Sequence, residues 1–500
     1  MDRKKKLVLN TFSSLFYQLI TIVSGFILPR FFLDYYGSEV NGLVSSITQF
    51  LAFISLAECG VGAVVRSTLY KPLAENDEVE ISKIFISSER FFQKIAKILI
   101  IYTLFVMIIY PLLTLDSFNY LFTLSLIFVI SLTSFMQYYF SISYSLLLDA
   151  DAYGFIQVLI RSITLIFNVF ISIYLMINNY SIHFVKLMSA LIFVIQPVFL
   201  RLFVKYKYNL DKNIELKEEP IKQKWNGFIQ HISAVVLGNT DIAVLTIFST
   251  LKNVSVYSIY FLVVNGVKQI INSLTGGIQP LFGNMYANNE IDSLNNTFSF
   301  VEWILHTLTI FAFTCTGILI IDFIKIYTKG ISDANYINYS FAFFMCAAQA
   351  AYCIRLSYNM MVLAAGHYRQ TQMSCIVEVI INLSISIVLV IKYGLVGVAI
   401  GTFVAMLYRT CYLAYYLSKN ILNRNIKIYI KHIVVDLCTV ITIYFSTYYI
   451  EIFPTNYILW IYKACIVSII SLIVIFIINY VFYRDYIKSF MNKFILKKRG

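Results

Sequence analysis

The sequence predicts an all-α, polytopic membrane protein with about fourteen transmembrane helices. Of its 500 residues, 59% are hydrophobic and only 13% are charged, whereas about 25% of the residues of a soluble domain are charged. Apolar runs also recur along the whole chain, from Leu7 to Tyr483. These two observations exclude a soluble multidomain protein and favour an integral membrane protein.

Fourteen apolar runs are long enough to cross a bilayer, since a spanning helix needs about 20 mainly apolar residues. In chain order the predicted spans are 7–33, 40–70, 91–114, 119–148, 153–178, 182–206, 227–250, 254–287, 298–322, 336–365, 371–391, 394–418, 428–450 and 457–483.

The distribution of basic residues predicts the orientation of these spans. The net charge is +13, and lysine and arginine collect in alternate loops, as the positive-inside rule requires. No basic stretch is interleaved with aromatic residues that would stack on bases, so we expect no nucleic-acid binding. The segment MDRKKK precedes a run too long for a cleaved signal peptide. With fourteen spans, both termini are expected in the cytoplasm.

A polar stretch at 207–226, the predicted cytoplasmic linker, divides the chain into two lobes. Residues 1–206 would form an N-terminal lobe of six helices, 227–420 a C-terminal lobe of six, and 421–500 two extra helices with a basic cytoplasmic tail. The run YYGSEVNGLVSSITQFLAFI aligns weakly with STLKNVSVYSIYFLVVNGV, which favours a repeat. Two lobes of this kind are expected to enclose a central cleft that holds the site.

The sequence contains no enzyme motif that we can identify. It lacks GxSxG, HExxH and the phosphate-binding GxxxxGK[ST]. Asp149 and Asp151 lie close together in DADAYG, where a turn or a helix cap explains them better than a catalytic pair. The eight cysteines are single residues in apolar runs without a metal-ligand spacing. We therefore expect no catalytic residue, no metal and no cofactor.

Charged residues inside the apolar runs are the candidate functional residues. A charge in hydrocarbon costs about 3 kcal/mol or more, so such residues usually face a protein interior or a wet cavity. Arginine and lysine suit an anionic substrate such as a diphosphate. Proton or sodium coupling would need carboxylates, for which Glu58 and Asp241 are the candidates. The predicted cleft residues of this kind are Arg30, Glu58, Arg66, Asp241, Lys268 and Arg355.

Each candidate also has a structural explanation. Arg66 would snorkel to the inner interface, and Arg30 would cap the outer end of its helix. The candidates deeper in their runs would form interhelical salt bridges. Glu302 and His306 share one face of a helix at i, i+4 spacing and would form a structural pair.

Three stretches of the chain resemble bacterial polysaccharide repeat-unit flippases. These proteins belong to the multidrug/oligosaccharidyl-lipid/polysaccharide exporter superfamily, and the resemblance is greatest to the branch that serves capsule and O-antigen-type glycans. It spans nearly the whole chain. The stretches are YGSEVNGLVSSITQFLAFISLAECGVGAVVRSTLYKPLAEND, HISAVVLGNTDIAVLTIF with VYSIYFLVVNGV, and EVIINLSISIVLVIKYGLVGVAIGT.

The resemblance implies a carrier that moves undecaprenyl-diphosphate-linked oligosaccharide to the outer leaflet of the bacterial cytoplasmic membrane. The first, second, seventh and eighth helices line the cleft in this family, so Asn239 and Thr240 would add hydrogen bonds to the sugars. Arg66 departs from the family pattern, because similar sequences often have an uncharged residue there. Expected partners are membrane lipids, a polysaccharide polymerase and glycosyltransferases.

Two other functions stay open at this point. A multidrug exporter of the same superfamily typically has twelve spans and a less cationic cleft, and the thirteenth and fourteenth predicted spans argue against it. A polytopic glycan polymerase would need a long outer loop, and the longest predicted one runs only from about Asp322 to Asn335.

Overall fold

The computed structural model describes residues 3–58, 60–211, 214 and 228–487. These residues form sixteen α-helices, two 3-10 helices and no strand. Most of the predicted linker and the predicted basic tail from residue 488 lie outside the described residues. The helices are α1 Arg3–Ala52, α2 Val61–Glu75, α3 Glu78–Ile109, α4 Tyr120–Phe140, α5 Ile142–Ala150, α6 Gly154–Ile177, α7 Ile182–Lys207, α8 Phe228–Phe248, α9 Leu251–Leu274, α10 Ile278–Ala287, α11 Ile291–Tyr327, α12 Tyr339–Ala364, α13 Tyr368–Tyr393, α14 Leu395–Asn420, α15 Lys427–Tyr448 and α16 Tyr457–Phe482.

By length and composition, thirteen helices of the described residues could cross a membrane. The predicted count was fourteen, and the difference lies in the first run, Val8–Glu58, which has 51 residues. A straight helix of that length would reach roughly 75 Å, more than twice the thickness of the hydrocarbon core. The run is not straight, because Gly37 has φ 79° and ψ 176° and interrupts α1. Only glycine adopts this backbone conformation readily.

Contacts at both ends of α6 show that the first run crosses twice. Lys6 bonds to Asp151 at 2.9 Å, just before α6 begins, and the Tyr36 hydroxyl donates to the Tyr180 carbonyl at 2.6 Å, just after α6 ends. The chain then reverses at Gly37. By the start of α3 the chain is back at the Asp151 end. Glu78, at the start of α3, accepts a hydrogen bond from Asn209, and Lys207, two residues before Asn209, bonds to Asp151. The run therefore supplies two passes, in agreement with the predicted fourteen.

Three predicted spans are not continuous helices. The second span, 40–70, changes to a 3-10 helix at Phe53–Glu58 and resumes at Val61 after Gly60 in the left-handed conformation, φ 72°. The run 119–148 divides at Ser141 into α4 and α5, and the run 254–287 divides near Gly276 into α9 and α10. A hydropathy window does not detect these breaks, because the few small and polar residues at each break lie between apolar segments.

The chain forms two compact units, Met1–Ser255 and Val256–Gly500. Within the described residues of unit 1, one hydrophobic cluster lies around Phe85 and Leu147 and another around Leu43 and Leu126. In unit 2 the helices α12, α13 and α14 pack together, and α15 and α16 pack against α11. The predicted bounds of the two lobes, 1–206 and 227–420, stay predictions.

An ion-pair cluster fixes the start of α1 to the rest of unit 1. Asp151 accepts from Lys6 at 2.9 Å, from Lys207 at 2.7 Å and from the Tyr208 hydroxyl at 2.6 Å. The ring of Tyr153 lies under both ammonium groups. Burial raises the pKa of the Asp151 carboxyl, but the hydrogen bonds from Lys207, Tyr208 and Lys6 outweigh it and lower the pKa below its ordinary value.

We expect Asp151→Asn to lower the free energy of unfolding by about 2 kcal/mol at pH 7, because charge-assisted hydrogen bonds are lost. Since the pKa is lowered in the folded state, this stabilisation is present above the unfolded pKa of about 4 and is lost as the pH falls through the folded pKa. Thermal unfolding of the detergent-solubilised protein from pH 8 to pH 3 measures the difference. The exposed Asp116→Asn serves as the control, and equal melting temperatures at pH 7 would contradict the role of the cluster.

Candidate functional site

The broken second span places Glu58 at an irregular point of unit 1. Glu58 ends the 3-10 helix, and the hydroxyl of Tyr138 on α4 donates a hydrogen bond to its carboxylate. Non-helical backbone at membrane depth is tolerated where it is buried in protein or lines a wet cavity, and broken helices often form transporter sites. Glu58 therefore lies at a break of the kind that transporters use, with a polar partner on a neighbouring helix.

Polar contacts join the second span to α8 and to the start of α9. We call them the polar seam, which consists of Asn41–Ser255 at 2.8 Å, Ser46–Thr246 at 2.6 Å, Gln49–Asn239, and the bond between His231 and the Ser55 carbonyl at 3.0 Å. As the residue numbers increase along the second span, those of their partners decrease from Ser255 to His231, so the two segments are antiparallel. Both helices are apolar overall, and the seam fixes their register because each polar group requires its partner in a membrane.

The seam includes Asn239, which is predicted to bind sugars, and lies beside Thr240, with the same predicted role, and Asp241, a predicted cleft and coupling residue. Asn239 contacts Gln49 and also donates to the Val235 carbonyl at 2.6 Å. Thr240 donates to the carbonyl of Val236 within its own helix. Asp241 is buried, with 6% of its surface exposed. The sequence missed Gln49, because a glutamine in an apolar run carries no charge to mark it.

The two predicted cationic residues of unit 1, Arg30 and Arg66, lie towards its two ends. Arg30 forms an ion pair with Asp34 at 2.9 Å, one turn further along α1, not far from the reversal at Gly37. Arg66 lies 3.9 Å from Asp149 and is 44% exposed, near the Asp151 end. Arg66 is thus at the end of the unit where a snorkelling residue is expected, and Arg30 is neutralised on its own helix.

In unit 2, Lys268 and Arg355 come together on the ring of Tyr352. The Lys268 ammonium lies 5.1 Å from the ring centroid, and the Arg355 guanidinium carbon lies 4.9 Å from it. Both distances are typical of cation–π contacts. The sequence indicated both cations but missed Tyr352, because an aromatic residue in an apolar run gives no distinctive signal.

A buried carboxylate compensates only part of this positive charge. Glu378 on α13 accepts a hydrogen bond from Arg355, and its second oxygen lies 3.9 Å from Arg409 on α14. Arg409 also donates to the Thr371 carbonyl at 3.0 Å. We call Lys268, Arg355, Arg409 and Glu378 the cationic group, which thus contains three cations and one carboxylate. A site with this balance favours an anionic ligand.

Within the described residues, no three histidine, cysteine, aspartate or glutamate side chains group as metal ligands. The structure brings Lys268 and Arg355 together in unit 2, and it places Glu58 and Asn239 along one helix pair in unit 1. Within unit 1 it does not group Arg30 or Arg66 with Glu58 and Asn239. The predicted roles of these residues, and of Asp241, stay predictions.

We expect Gly42→Ala to disturb the seam, since a Cβ at this position would lie 1.9 Å from the backbone carbonyl oxygen of Leu251. One of the two backbones would have to move, at a cost of about 1–3 kcal/mol. Thermal unfolding of the purified protein measures this cost. Gly238→Ala on α8 is the matched control, because a Cβ there would contact nothing within 4 Å. Equal destabilisation by the two variants would contradict the close approach.

No protein-family model and no curated protein matches this chain. Solved structures do match. The lipid II flippase MurJ, in an inward closed conformation, has a TM-score of 0.71 at 16% identity over 96% of this chain and 100% of that chain. An inward-facing multidrug resistance MATE family transporter of the MOP superfamily has a TM-score of 0.58 at 13% identity, over 81% of this chain and 95% of that one. A MOP superfamily transporter from Pyrococcus furiosus has a TM-score of 0.52 at 12% identity, over 85% of this chain and 98% of that one.

These identities are too low to show more than the fold. The predicted fold class, an all-α polytopic membrane protein, is confirmed by the helices and by the solved structures they resemble. The chain has the fold of the MOP superfamily transporters.

Proposed function

We propose that this protein is a flippase that moves undecaprenyl-diphosphate-linked oligosaccharide repeat units across the bacterial cytoplasmic membrane by alternating access. One observation carries the proposal: the structural match to a lipid II flippase covers 96% of this chain and all of the other, whereas the match to the MATE family transporter covers 81% of this chain. The fourteen passes, including α15 and α16, favour the flippase over a twelve-span exporter.

The cationic group supports an anionic cargo. Guanidinium and ammonium groups bind phosphate oxygens strongly, and arginine does so through a bidentate fork. Lys268 and Arg355 together carry two positive charges on one ring, and the Glu378 carboxylate neutralises only one positive charge of the group. We propose that they bind the diphosphate, and that Asn239 and Thr240 contact the sugars once the seam opens.

The double variant Lys268→Ala, Arg355→Ala is expected to lower the flipping rate roughly a hundred- to ten-thousandfold, because each of the two lost charged hydrogen bonds weakens binding by about 1.5–3 kcal/mol. The measurement is the transfer of a fluorescent undecaprenyl-diphosphate oligosaccharide in proteoliposomes. Lys392→Ala is the matched control, since Lys392 also lies over a tyrosine ring, Tyr393.

Arg355→Lys tests the bidentate binding of phosphate by arginine separately, because it keeps the positive charge and loses the bidentate hydrogen-bond geometry. Wild-type rates in the double variant would overturn the cationic assignment. A wild-type protein that exports organic cations but does not flip the lipid would support the alternative, a multidrug exporter, which the likeness to the MATE family favours.

Coupling to protons or sodium ions is part of the proposal, with Glu58 and Asp241 as candidate carboxylates. Glu58→Gln is expected to make the flipping rate independent of the pH and sodium gradients, because the carboxylate that would bind the cation is lost. Tyr138→Phe keeps this carboxylate and removes only its hydrogen-bond donor, so it should retain coupling. An unchanged gradient response in Glu58→Gln would leave Glu58 only a structural role.

We further propose that both termini lie in the cytoplasm and that the flippase works beside a polysaccharide polymerase and glycosyltransferases. The alternating basic loops support this orientation.

A further inference from the structure

A hydrogen-bonded chain of titratable side chains lies in unit 2, apart from the cationic group. Glu302 and His306 are on α11, Tyr358 is on α12 and Asp436 is on α15. The Tyr358 hydroxyl donates to Glu302 at 2.7 Å, His306 Nε2 lies 3.0 Å from the Tyr358 oxygen, and His306 Nδ1 lies 2.6 Å from Asp436 Oδ2. Glu302 and His306 are fully buried, at 0% and 1% exposure.

The number of hydrogens in this chain is fixed by the donors and acceptors. Tyr358 has one hydroxyl hydrogen, and Glu302 receives it, so the Tyr358 oxygen can only accept from His306 Nε2. Nε2 must therefore carry a hydrogen. Nδ1 faces a carboxylate oxygen, and this contact also needs a hydrogen between the two atoms. The three contacts can coexist only if His306 and Asp436 together hold two exchangeable protons.

The charges around the pair place the second proton on the imidazole. Arg424, from the segment between α14 and α15, donates to both oxygens of Glu302 at 2.6 Å, which keeps Glu302 ionised and unable to supply the proton. Aspartic acid is a stronger acid than imidazolium. An ionised Asp436 beside a doubly protonated His306 thus satisfies every contact.

The other titratable side chains nearby do not supply the hydrogen that lies between His306 Nδ1 and Asp436. His432 on α15 has Nε2 3.7 Å from Glu302, beyond hydrogen-bond distance, and its Nδ1 lies 2.8 Å from the hydroxyl of Tyr483, the residue that follows α16. The two histidine rings are 4.8 Å apart, so they disfavour a charge on both. Tyr429 of α15 contacts Tyr358 through its ring.

We infer that the His306–Asp436 pair is a proton-binding site that connects α11, α12 and α15. It also lines a small cavity with Asn479 and Tyr483, which gives Asp436, 13% exposed, a route for proton exchange. When one proton leaves through Asp436, the imidazole keeps one hydrogen. If this hydrogen is on Nδ1, the Tyr358 hydroxyl must turn away from Glu302 and donate to Nε2. If the hydrogen is on Nε2, the bond between His306 and Asp436 of α15 is lost.

Release of the proton therefore removes one hydrogen bond of α11: one of the two that Tyr358 of α12 makes with Glu302 and His306, or the one to α15 through Asp436. Protonation thus maximises the number of hydrogen bonds that hold α12 and α15 to α11. This inference rests on the hydrogen-bond geometry and is independent of the proposed cargo.

Solid-state nuclear magnetic resonance of the full-length protein in lipid bilayers, with ¹⁵N-labelled histidine, tests the site directly. The chain has only five histidines. At pH 7.5 a free histidine is about nine-tenths neutral, whereas we expect both ring nitrogens of His306 to be protonated. Asp436→Asn should leave one of them unprotonated at this pH.

Asp322→Asn is the matched control, because Asp322 is a half-buried carboxylate of the same helix α11 that pairs with Lys463 at 2.7 Å. It should leave the His306 signals unchanged, as should His367→Gln, since the His367 imidazole bonds to the Tyr416 hydroxyl at 2.9 Å and is not part of the hydrogen-bonded chain. An unprotonated His306 ring nitrogen in the wild-type protein at pH 7.5 would overturn the inference, and so would unchanged His306 signals in a folded Asp436→Asn variant.

A second measurement connects the site to transport. The flipping rate in proteoliposomes is expected to vary between pH 6 and pH 9 in the wild type and to vary less in Asp436→Asn, in which Glu58 remains as the other candidate proton-binding group. A pH-independent wild-type rate would overturn the control of these contacts by protonation. Failure to flip the lipid at all would contradict the proposed function and leave the resonance result standing.

Discussion

The backbone conformation of Gly37 is the constraint on which the arrangement of unit 1 depends. At φ 79° and ψ 176° the residue occupies a region that side chains exclude, and the chain reverses there between two passes. The first pass then lies along α6, and the second lies along α8. Without the reversal, Gln49 and Ser46 would not meet their partners on α8, and Glu58 would not reach α4.

Polar contacts between apolar helices determine the register of both units. Burial of apolar surface does not discriminate strongly between helix rotations in a lipid environment, where the alternative neighbour is also apolar. A polar or charged group does discriminate, because leaving it without a partner is costly. The polar seam has this role in unit 1, and the pairs Glu302–Arg424 and Glu378–Arg355 have it in unit 2.

The same contacts are suited to change in the transport cycle that we propose. In the Gln49–Asn239 contact the Gln49 amide donates one neutral hydrogen bond to the Asn239 side-chain oxygen. The net free energy of such a bond is about 1 kcal/mol, so ligands can compete for these groups. The Glu302–Arg424 pair is bidentate and fully buried, and removal of one partner of such a pair costs about 3–5 kcal/mol. We therefore regard the seam as the adaptable part of the structure and the Glu302–Arg424 pair as a fixed anchor, next to which the His306 proton site operates.

The sequence by itself determined the fold class, the number of passes and which residues bring charge into the membrane. Each spanning helix satisfies its own backbone hydrogen bonds, so a span can be recognised from its own composition without knowledge of its neighbours. Only the tertiary structure decided which charges have which partners. Tyr352, Tyr138 and Arg424 are unremarkable in the sequence. They become important because the packing of the helices, and of the α14–α15 segment that carries Arg424, places them beside Lys268, Glu58 and Glu302. The break at Phe53–Gly60 also required the structure, because a 3-10 helix and a left-handed glycine leave the hydropathy of the run unchanged.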